Sequence, residues 1–248
     1  MNAVELKNVT KRYKDFTLED VSFVVPEGKI VGLVGENGAG KTTLIRAMMG
    51  SCKINEGSIT VLGSEVRDDN HFAAVKQAVG VVLDEGCLPM LKLSQMEGVF
   101  KAAYINWNHE VYERLVKNFE LPMKKKLNVV SRGQKMKLAL ALALSHKAKL
   151  LVLDEPTGGL DPLVRDEIVE TLHDFASQDG HSVLFSSHII SDIEKIADYV
   201  AYIHKGKLLF FEEKSRLMEQ VAQKGLATLE EYIVQIAKEN KKHESIAY

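Results

Sequence analysis

The stretch GENGAGKT, Gly35–Thr42, spaces glycines, a lysine and a hydroxyl in the pattern G-x-x-x-x-G-K-[ST]. Glycine lets backbone N–H groups turn inward around an anion, and a helix opening directly after the loop adds the positive end of its dipole. That chemistry suits phosphates, with Lys41 set to reach the β- and γ-phosphates of a nucleotide and the Thr42 hydroxyl set to ligate Mg²⁺. A second stretch, LLVLDE from Leu150 to Glu155, is an apolar run that ends in two carboxylates. Asp154 there suits the metal, through water, and Glu155 suits an attacking water that must be oriented or deprotonated. A third, SSH, ends on His188, a ring able to touch the transferred phosphate or the water; a histidine in such a place also serves ordinary structural ends. The fourth feature is a matter of charge. From Lys124 to Lys149 the chain carries eight basic residues and no Asp or Glu. Arg132, Lys135 and Lys137 crowd the start of a predicted helix, where the dipole favours acids. Such an end fits an anion brought from elsewhere.

These groups need elements to hold them. VELKNVTKRY and FTLEDVSFVV read as antiparallel strands of a side sheet, KIVGLVG as a buried strand feeding the glycine loop, and KTTLIRAMMG as the helix behind it. GSITVLG and AVGVVLD are further strands, and residues about 94–120 are helical with a break at Asn106–His109. KLLVLDEP and SVLFSSH are apolar strands separated by a helix over Leu163–Ser177. YVAYIHKGKLLFFEE reads as a hairpin turning at Lys205–Gly206, and TLEEYIVQIAKEN as an amphipathic helix opening on a threonine cap. Apolar strands alternating with helices predict an α/β fold, with a mainly parallel core sheet and helices on both faces. LALALAL alternates at period two, but both members are apolar and neither is β-branched, so it reads as a fully buried helix that Gly133 weakens at its start. The basic tail KENKKHES reads as solvated and frayed.

Composition bounds the rest. The chain has 248 residues, 46% hydrophobic and 27% charged, which suits a soluble globular protein. Net charge is −2, so nucleic-acid binding would require a local basic face. Two cysteines, Cys52 and Cys87, point to a reducing compartment and to packing roles, not to a disulfide scaffold. The start MNAVELKNVTKRY lacks the apolar core of a signal peptide, and no apolar run reaches the length that spans a bilayer.

The order GENGAGKT, VSRGQ, LLVLDEP, GGLD, SSH resembles the nucleotide-binding subunit of ABC transporters, from about Leu6 to Glu213. The resemblance implies a P-loop NTPase of the ABC-ATPase fold over 1–248, with a helical subdomain about 86–147 and a short helical tail about 214–248. It implies ATP and Mg²⁺ as ligands and ATP hydrolysis as the reaction, with Lys41, Glu155 and His188 catalytic. Gly35, Glu36, Asn37, Gly38, Ala39, Gly40, Lys41, Thr42 and Thr43 would hold the phosphates. Val130–Gln134 stands where the family has its LSGGQ-like signature, whose helix points at ATP held by another subunit. The missing anion would then be the γ-phosphate, met by Ser131, Arg132, Gly133 and Gln134. Tyr13 in KRYKDF matches the aromatic that stacks on adenine, with Phe16 as the alternative. Asp161 in GGLDP matches the loop joining two sites, and equally the start of the next helix. Two departures stand out. Arg132 replaces the first glycine of the signature, and VGVVLDEG puts Asp84, or Glu85 beside it, where the family has glutamine; Asp84 remains a hard oxygen ligand for the metal, beside Thr42 and Asp154.

The same resemblance implies partners: a homodimer, or a heterodimer with a paralogue, and a separate transmembrane permease subunit on whose cytoplasmic face the chain sits, without nucleic acid. Gly86–Trp107, with Leu88, Met90, Leu91 and Leu93, is the expected coupling surface; each of these also suits plain packing. NWNHEVYERLVKNFELP and SSHIISDIEKIADYVAYIHKGKLLF look most like the ABC-2 exporter branch, which handles drugs, antibiotics and antimicrobial peptides. Three alternatives fit less well. ABC-type ATPases of translation carry two nucleotide domains per chain, whereas one such loop is present. Those of DNA repair carry a long coiled coil, whereas no heptads are sustained. Importer subunits carry the loop glutamine and an extra C-terminal regulatory domain.

Overall fold

The computed structural model describes residues 1–67, 69–83 and 90–246. Asp84, Glu85 and Leu88 lie outside the described residues, and with them the Asp84 metal assignment. The strands are β1 (Asn2–Arg12), β2 (Thr17–Pro26), β3 (Ile30–Val34), β4 (Glu56–Val61), β5 (Ser64–Glu65), β6 (Val79–Val82), β7 (Leu150–Leu153), β8 (Ser182–Ser187), β9 (Tyr199–His204) and β10 (Lys207–Glu213). They form one sheet in the order β5-β4-β1-β2-β10-β9-β3-β8-β7-β6. The run β9-β3-β8-β7-β6 is parallel, and β5-β4-β1-β2 is antiparallel. The two meet through a single register pair, Lys207 with Glu19. The expected core sheet and side sheet are therefore both present.

Strands β3, β7 and β8 are buried along their whole length, as parallel strands covered on both faces must be. Their alternate residues enter two separate cores. Ile30, Val34, Leu151, Leu153 and Phe185 face one, with helix α5 (Arg132–Leu144) and α6 (Pro162–Ala176). Val31, Leu33, Leu150, Val152 and Leu184 face the other, with α1 (Lys41–Met48) and the side sheet. Burial of this kind contributes about 25 cal/mol per Å² of apolar surface, which fixes the strand ends that carry the polar groups.

Helix α2 covers Asp69–Lys76, α3 Leu93–Ala103 and α4 His109–Asn118; the break between α3 and α4 falls where expected, with Asn108 capping α4 through Val111 N at 3.1 Å. LALALAL (138–144) is helical, as expected, but not buried throughout: Ala139 and Leu144 are partly exposed. Leu93 is fully buried and Leu91 packs on the core, so in the expected coupling segment these two serve packing, while Met90 is 71% exposed. After α7 (Ile190–Ile196) and the β9–β10 hairpin come α8 (Lys214–Gln223) and α9 (Leu229–Ile246). Glu231 N donates to Thr228 Oγ1 at 3.2 Å, the expected threonine cap. The tail corrects the expectation of fraying, since α9 runs on through KENKKHES. Leu229, Tyr232 and Ile233 anchor that helix in the core, and a helix nucleated by packing extends into a polar end at little cost.

Candidate active site

Three strand ends converge on the site. β3 ends at Val34 and opens the phosphate loop, β7 ends at Leu153 before Asp154 and Glu155, and β8 ends at Ser187 before His188. Side-by-side pairing of β3 with β8 and of β8 with β7 sets these ends next to each other. Gly40 takes φ +112° at the N-cap of α1, a conformation that side chains resist. A Cβ on Gly35 would sit 2.5 Å from the Ile203 carbonyl oxygen, so the loop can pass β9 only with glycine there. The loop is further tied by Gly206 N donating to Ala39 O at 3.0 Å.

Lys41 is 5% exposed, at the first position of α1. Its ammonium donates to Gly35 O at 2.6 Å and Glu36 O at 3.2 Å, and lies 3.0 Å from Glu155 Oε1. Thr42 Oγ1 donates to Asp154 Oδ2 at 2.7 Å, and Ser186 Oγ donates to Asp154 Oδ1 at 2.6 Å. Ser186 Oγ also accepts from Glu155 N at 2.9 Å, and Glu155 Oε2 faces His188 Nδ1 at 2.7 Å. Glu155 itself has φ +50°, a strained backbone that turns its carboxylate back toward the loop. Burial is the largest single influence on the Glu155 carboxyl and opposes its ionisation. The Lys41 ammonium and His188 together outweigh that and hold it below the usual glutamate range. The group is therefore an ionised carboxylate at neutral pH, held on one side by a cation and on the other by an imidazole.

A cavity of about 180 Å³ lies over the loop, lined by Glu36, Asn37, Gly38, Lys41, Thr42, Thr43, Glu155 and Phe16, among others. Phe16 thus stands at the phosphate cavity, while Tyr13 is 48% exposed and its hydroxyl lies 3.3 Å from Cys52 Sγ. Ser186 is the residue that sequence reasoning missed. A hydroxyl buried in an otherwise apolar strand needs partners, and that alone singles it out.

The family model described as ABC transporter matches residues 18–158. The lantibiotic transport ATP-binding protein SrtF of Streptococcus pyogenes is 32% identical over 219 residues, covering 85% of this chain and 90% of its own. The chain belongs to the ABC transporter family. A solved ATP-binding subunit of an ABC transporter superposes with a TM-score of 0.83 at 27% identity, over 95% of this chain and 99% of that one. An ATP-binding cassette solved as a dimer in a post-hydrolysis state, bound to ADP and Pi, gives 0.76 at 25% identity, over 85% and 98%. The chain is thus an ATP-binding and ATP-hydrolysing subunit with the ABC ATPase fold. Among the described residues no helix is long and apolar enough to cross a membrane.

Ser131–Gln134, the expected signature residues, lie at a helix start that is complete within itself. Ser131 Oγ accepts from Gln134 N and Gln134 Oε1 accepts from Ser131 N, both at 3.2 Å, a capping box. A Cβ on Gly133 would come 3.0 Å from Val164 Cγ1, so this glycine permits close approach of α5 to α6 in the same chain. Arg132 lies over the Gly158–Gly159 turn. Lys137 corrects the reading of the basic end as waiting only for an outside anion. It pairs with Glu167 on α6 at 2.5 Å and sits over the Phe119 ring, so part of the charge is compensated from within. Asp161 caps α6, Oδ1 accepting from Val164 N at 3.1 Å, ahead of Pro162.

Proposed function

We propose that this chain powers an exporter of antibiotic or peptide-like molecules, by closing with a second ATPase subunit around ATP and pushing on a separate membrane permease. The observation that carries the reading is the division of the site. The phosphate loop, Asp154, Glu155 and His188 form one bonded unit, whereas Ser131–Gln134 is a separate helix start, exposed at Ser131 and Arg132 and packed on α6 at Gly133. A relative of this chain named for lantibiotic transport supports the substrate class. A similar cassette solved as a dimer supports the pairing.

In this reading Tyr13 or Phe16 meets the adenine and Gly35–Thr43 the phosphates. The Thr42 hydroxyl and Asp154 are hard oxygen donors 2.7 Å apart, a donor set that fits Mg²⁺. The ion, when bound, neutralises phosphate charge. Phosphates that take over Lys41 release Glu155 from its ion pair. Glu155 then orients the attacking water and accepts its proton, while His188 holds the other carboxylate oxygen. Ser131 Oγ and the α5 N-terminus of the second subunit complete the site from across the interface.

Purification of the tagged chain from detergent-extracted membranes tests the partner. The expected result is co-purification of a polytopic membrane subunit at near-equal amounts. Recovery of the chain from the soluble fraction alone contradicts the reading.

A further inference from the structure

Strand β8 buries two serines to the same depth, Ser182 and Ser186, both without solvent exposure. A hydroxyl in such a place must find partners, and the two find different ones. Ser182 Oγ accepts from Gly28 N at 3.0 Å and donates to Pro26 O at 3.4 Å, so both its partners are main-chain groups outside the site. Ser186 Oγ bonds the two acids of the site. Its single proton goes to Asp154 Oδ1 at 2.6 Å, which leaves a lone pair to accept from Glu155 N at 2.9 Å. The chain leaves the sheet at this point. The pairing of β7 with β8 ends at Leu153 with Phe185, and Asp154 N turns to Val82 O on β6 at 2.8 Å. Glu155 N lies past the end of that ladder, on backbone at φ +50°. A conformation of that kind persists only where its surroundings fix it, and the Ser186 hydroxyl is what its N–H holds.

We infer that Ser186 is a positioning residue for ATP hydrolysis: one buried hydroxyl sets the carboxylate of Asp154 and the backbone of Glu155 relative to each other. The inference rests on the roles proposed above for Asp154 and Glu155 and adds the group that fixes their relative place. Both arms of the hydroxyl end on groups that face the phosphate loop. The bond to Asp154 Oδ1 leaves Oδ2 as the oxygen that meets the Thr42 hydroxyl, the pair that fits the metal. The bond from Glu155 N holds the backbone from which that carboxylate reaches Lys41 with one oxygen and His188 with the other. A misplacement of about 1 Å can cost on the order of a hundredfold in rate. A hydroxyl that touches no substrate atom can therefore set turnover. Ser182 is the internal comparison: the same residue, strand and burial, without either acid as a partner.

The test removes each hydroxyl in turn from the full-length chain. Ser182→Ala and Ser186→Ala are compared in phosphate release at saturating ATP and Mg²⁺, at a temperature where circular dichroism shows every chain folded, and Ser186→Ala is repeated in Glu155→Gln. Both serine variants should melt earlier than the parent. Ser186→Ala should lower kcat by roughly tenfold or more with KM for ATP little changed, whereas Ser182→Ala should keep the parent's kcat. In Glu155→Gln the further loss from Ser186→Ala should shrink to about twofold, since groups that act as one unit are not additive. Ser186→Thr keeps the hydroxyl and should recover most of the turnover; if its methyl unfolds the chain, the comparison within Glu155→Gln decides. A second readout needs no turnover. The Mg²⁺ concentration that half-promotes binding of a fluorescent ATP analogue should rise in Ser186→Ala and stay put in Ser182→Ala. Equal kcat losses in the two serine variants overturn the positioning role, as does a Ser186→Ala loss as large in Glu155→Gln as in the parent. An unmoved Mg²⁺ midpoint overturns the arm through Asp154. Near-normal turnover in Glu155→Gln itself overturns the base reading instead.

Discussion

The two ends of the catalytic apparatus are built on different physical plans. At the phosphate-loop end, Lys41, Thr42, Asp154, Glu155, Ser186 and His188 bond one another, and burial makes the Lys41–Glu155 and Ser186–Asp154 bonds costly to break. At the signature end, Ser131 and Gln134 satisfy each other, and Lys137 is satisfied by Glu167. The first end is a preorganised reaction centre that lacks only its substrate. The second is a capped helix start on which one cation, Lys137, is paired from within the chain. In the proposed reading such a chain binds nucleotide alone and needs a second copy, or a relative, to finish the site.

Perturbing the two ends should therefore give unequal results. The largest effect is expected from Glu155→Gln. Steady-state phosphate release should fall by about a hundredfold or more, the scale of a lost general base, while nucleotide affinity persists. Near-normal turnover in that variant would take Glu155 out of the base role. Ser186→Ala comes next. It leaves Asp154 Oδ1 and Glu155 N short of a partner in a buried place, so urea melts should register a loss of about 1–3 kcal/mol, with reduced turnover. An unchanged melt would mean that the network at this end is not preorganised.

Acid should act on the first end too. The folded-state pKa of Glu155 lies below the ordinary glutamate value, so its ionised form stabilises the fold at pH above about 4.3. That contribution is lost as pH falls through the depressed folded value. Melting curves from pH 6 downward should thus show a shallower acid decline in Glu155→Gln than in the parent; equal slopes would contradict the pairing with Lys41 and His188. The smallest effect belongs to the signature end. Lys137→Met removes a partly exposed ion pair and the ammonium's place over the Phe119 ring, so the stability cost should stay at about 1 kcal/mol, with ATP-dependent association intact. Loss of association there would mean that Lys137 serves an anion across the interface after all.

The same contrast governed what could be read in advance. The phosphate-loop end was legible because its chemistry is local in sequence: a glycine loop between a strand and a helix, and two acids at the end of an apolar run. The alternation of apolar strands and helices likewise yielded the parallel sheet and the hairpin at Lys205–Gly206. The signature end was legible as a cap, since Ser131 and Gln134 are three residues apart. Its charge balance was not, because Glu167 lies thirty positions beyond Lys137 and a linear count between Lys124 and Lys149 cannot see it. Ser186 is not legible for a related reason: its partners, Asp154 and Glu155, lie just past the end of another strand. The helical course of KENKKHES was missed because its polar residues carry no inward-facing period; the helix is set by Leu229, Tyr232 and Ile233 ahead of it.

The central claim is that the signature of one subunit serves ATP in another, and mixing two defective chains tests it most directly. One chain carries Lys41→Ala, which breaks the phosphate loop and spares the signature. The other carries Ser131→Arg, which blocks the signature by bulk and spares the loop. Both carry Glu155→Gln so that bound ATP persists. In the mixed pair one composite site is whole, and ATP bound there stabilises the closed form by mass action. Light scattering under ATP and Mg²⁺ should report dimer in the mixture and little in either chain alone. If the Glu155→Gln parent dimerises well but mixing yields no more dimer than the separate chains, one whole composite site does not close the pair, and the account of Ser131–Gln134 as a surface completed in trans is contradicted.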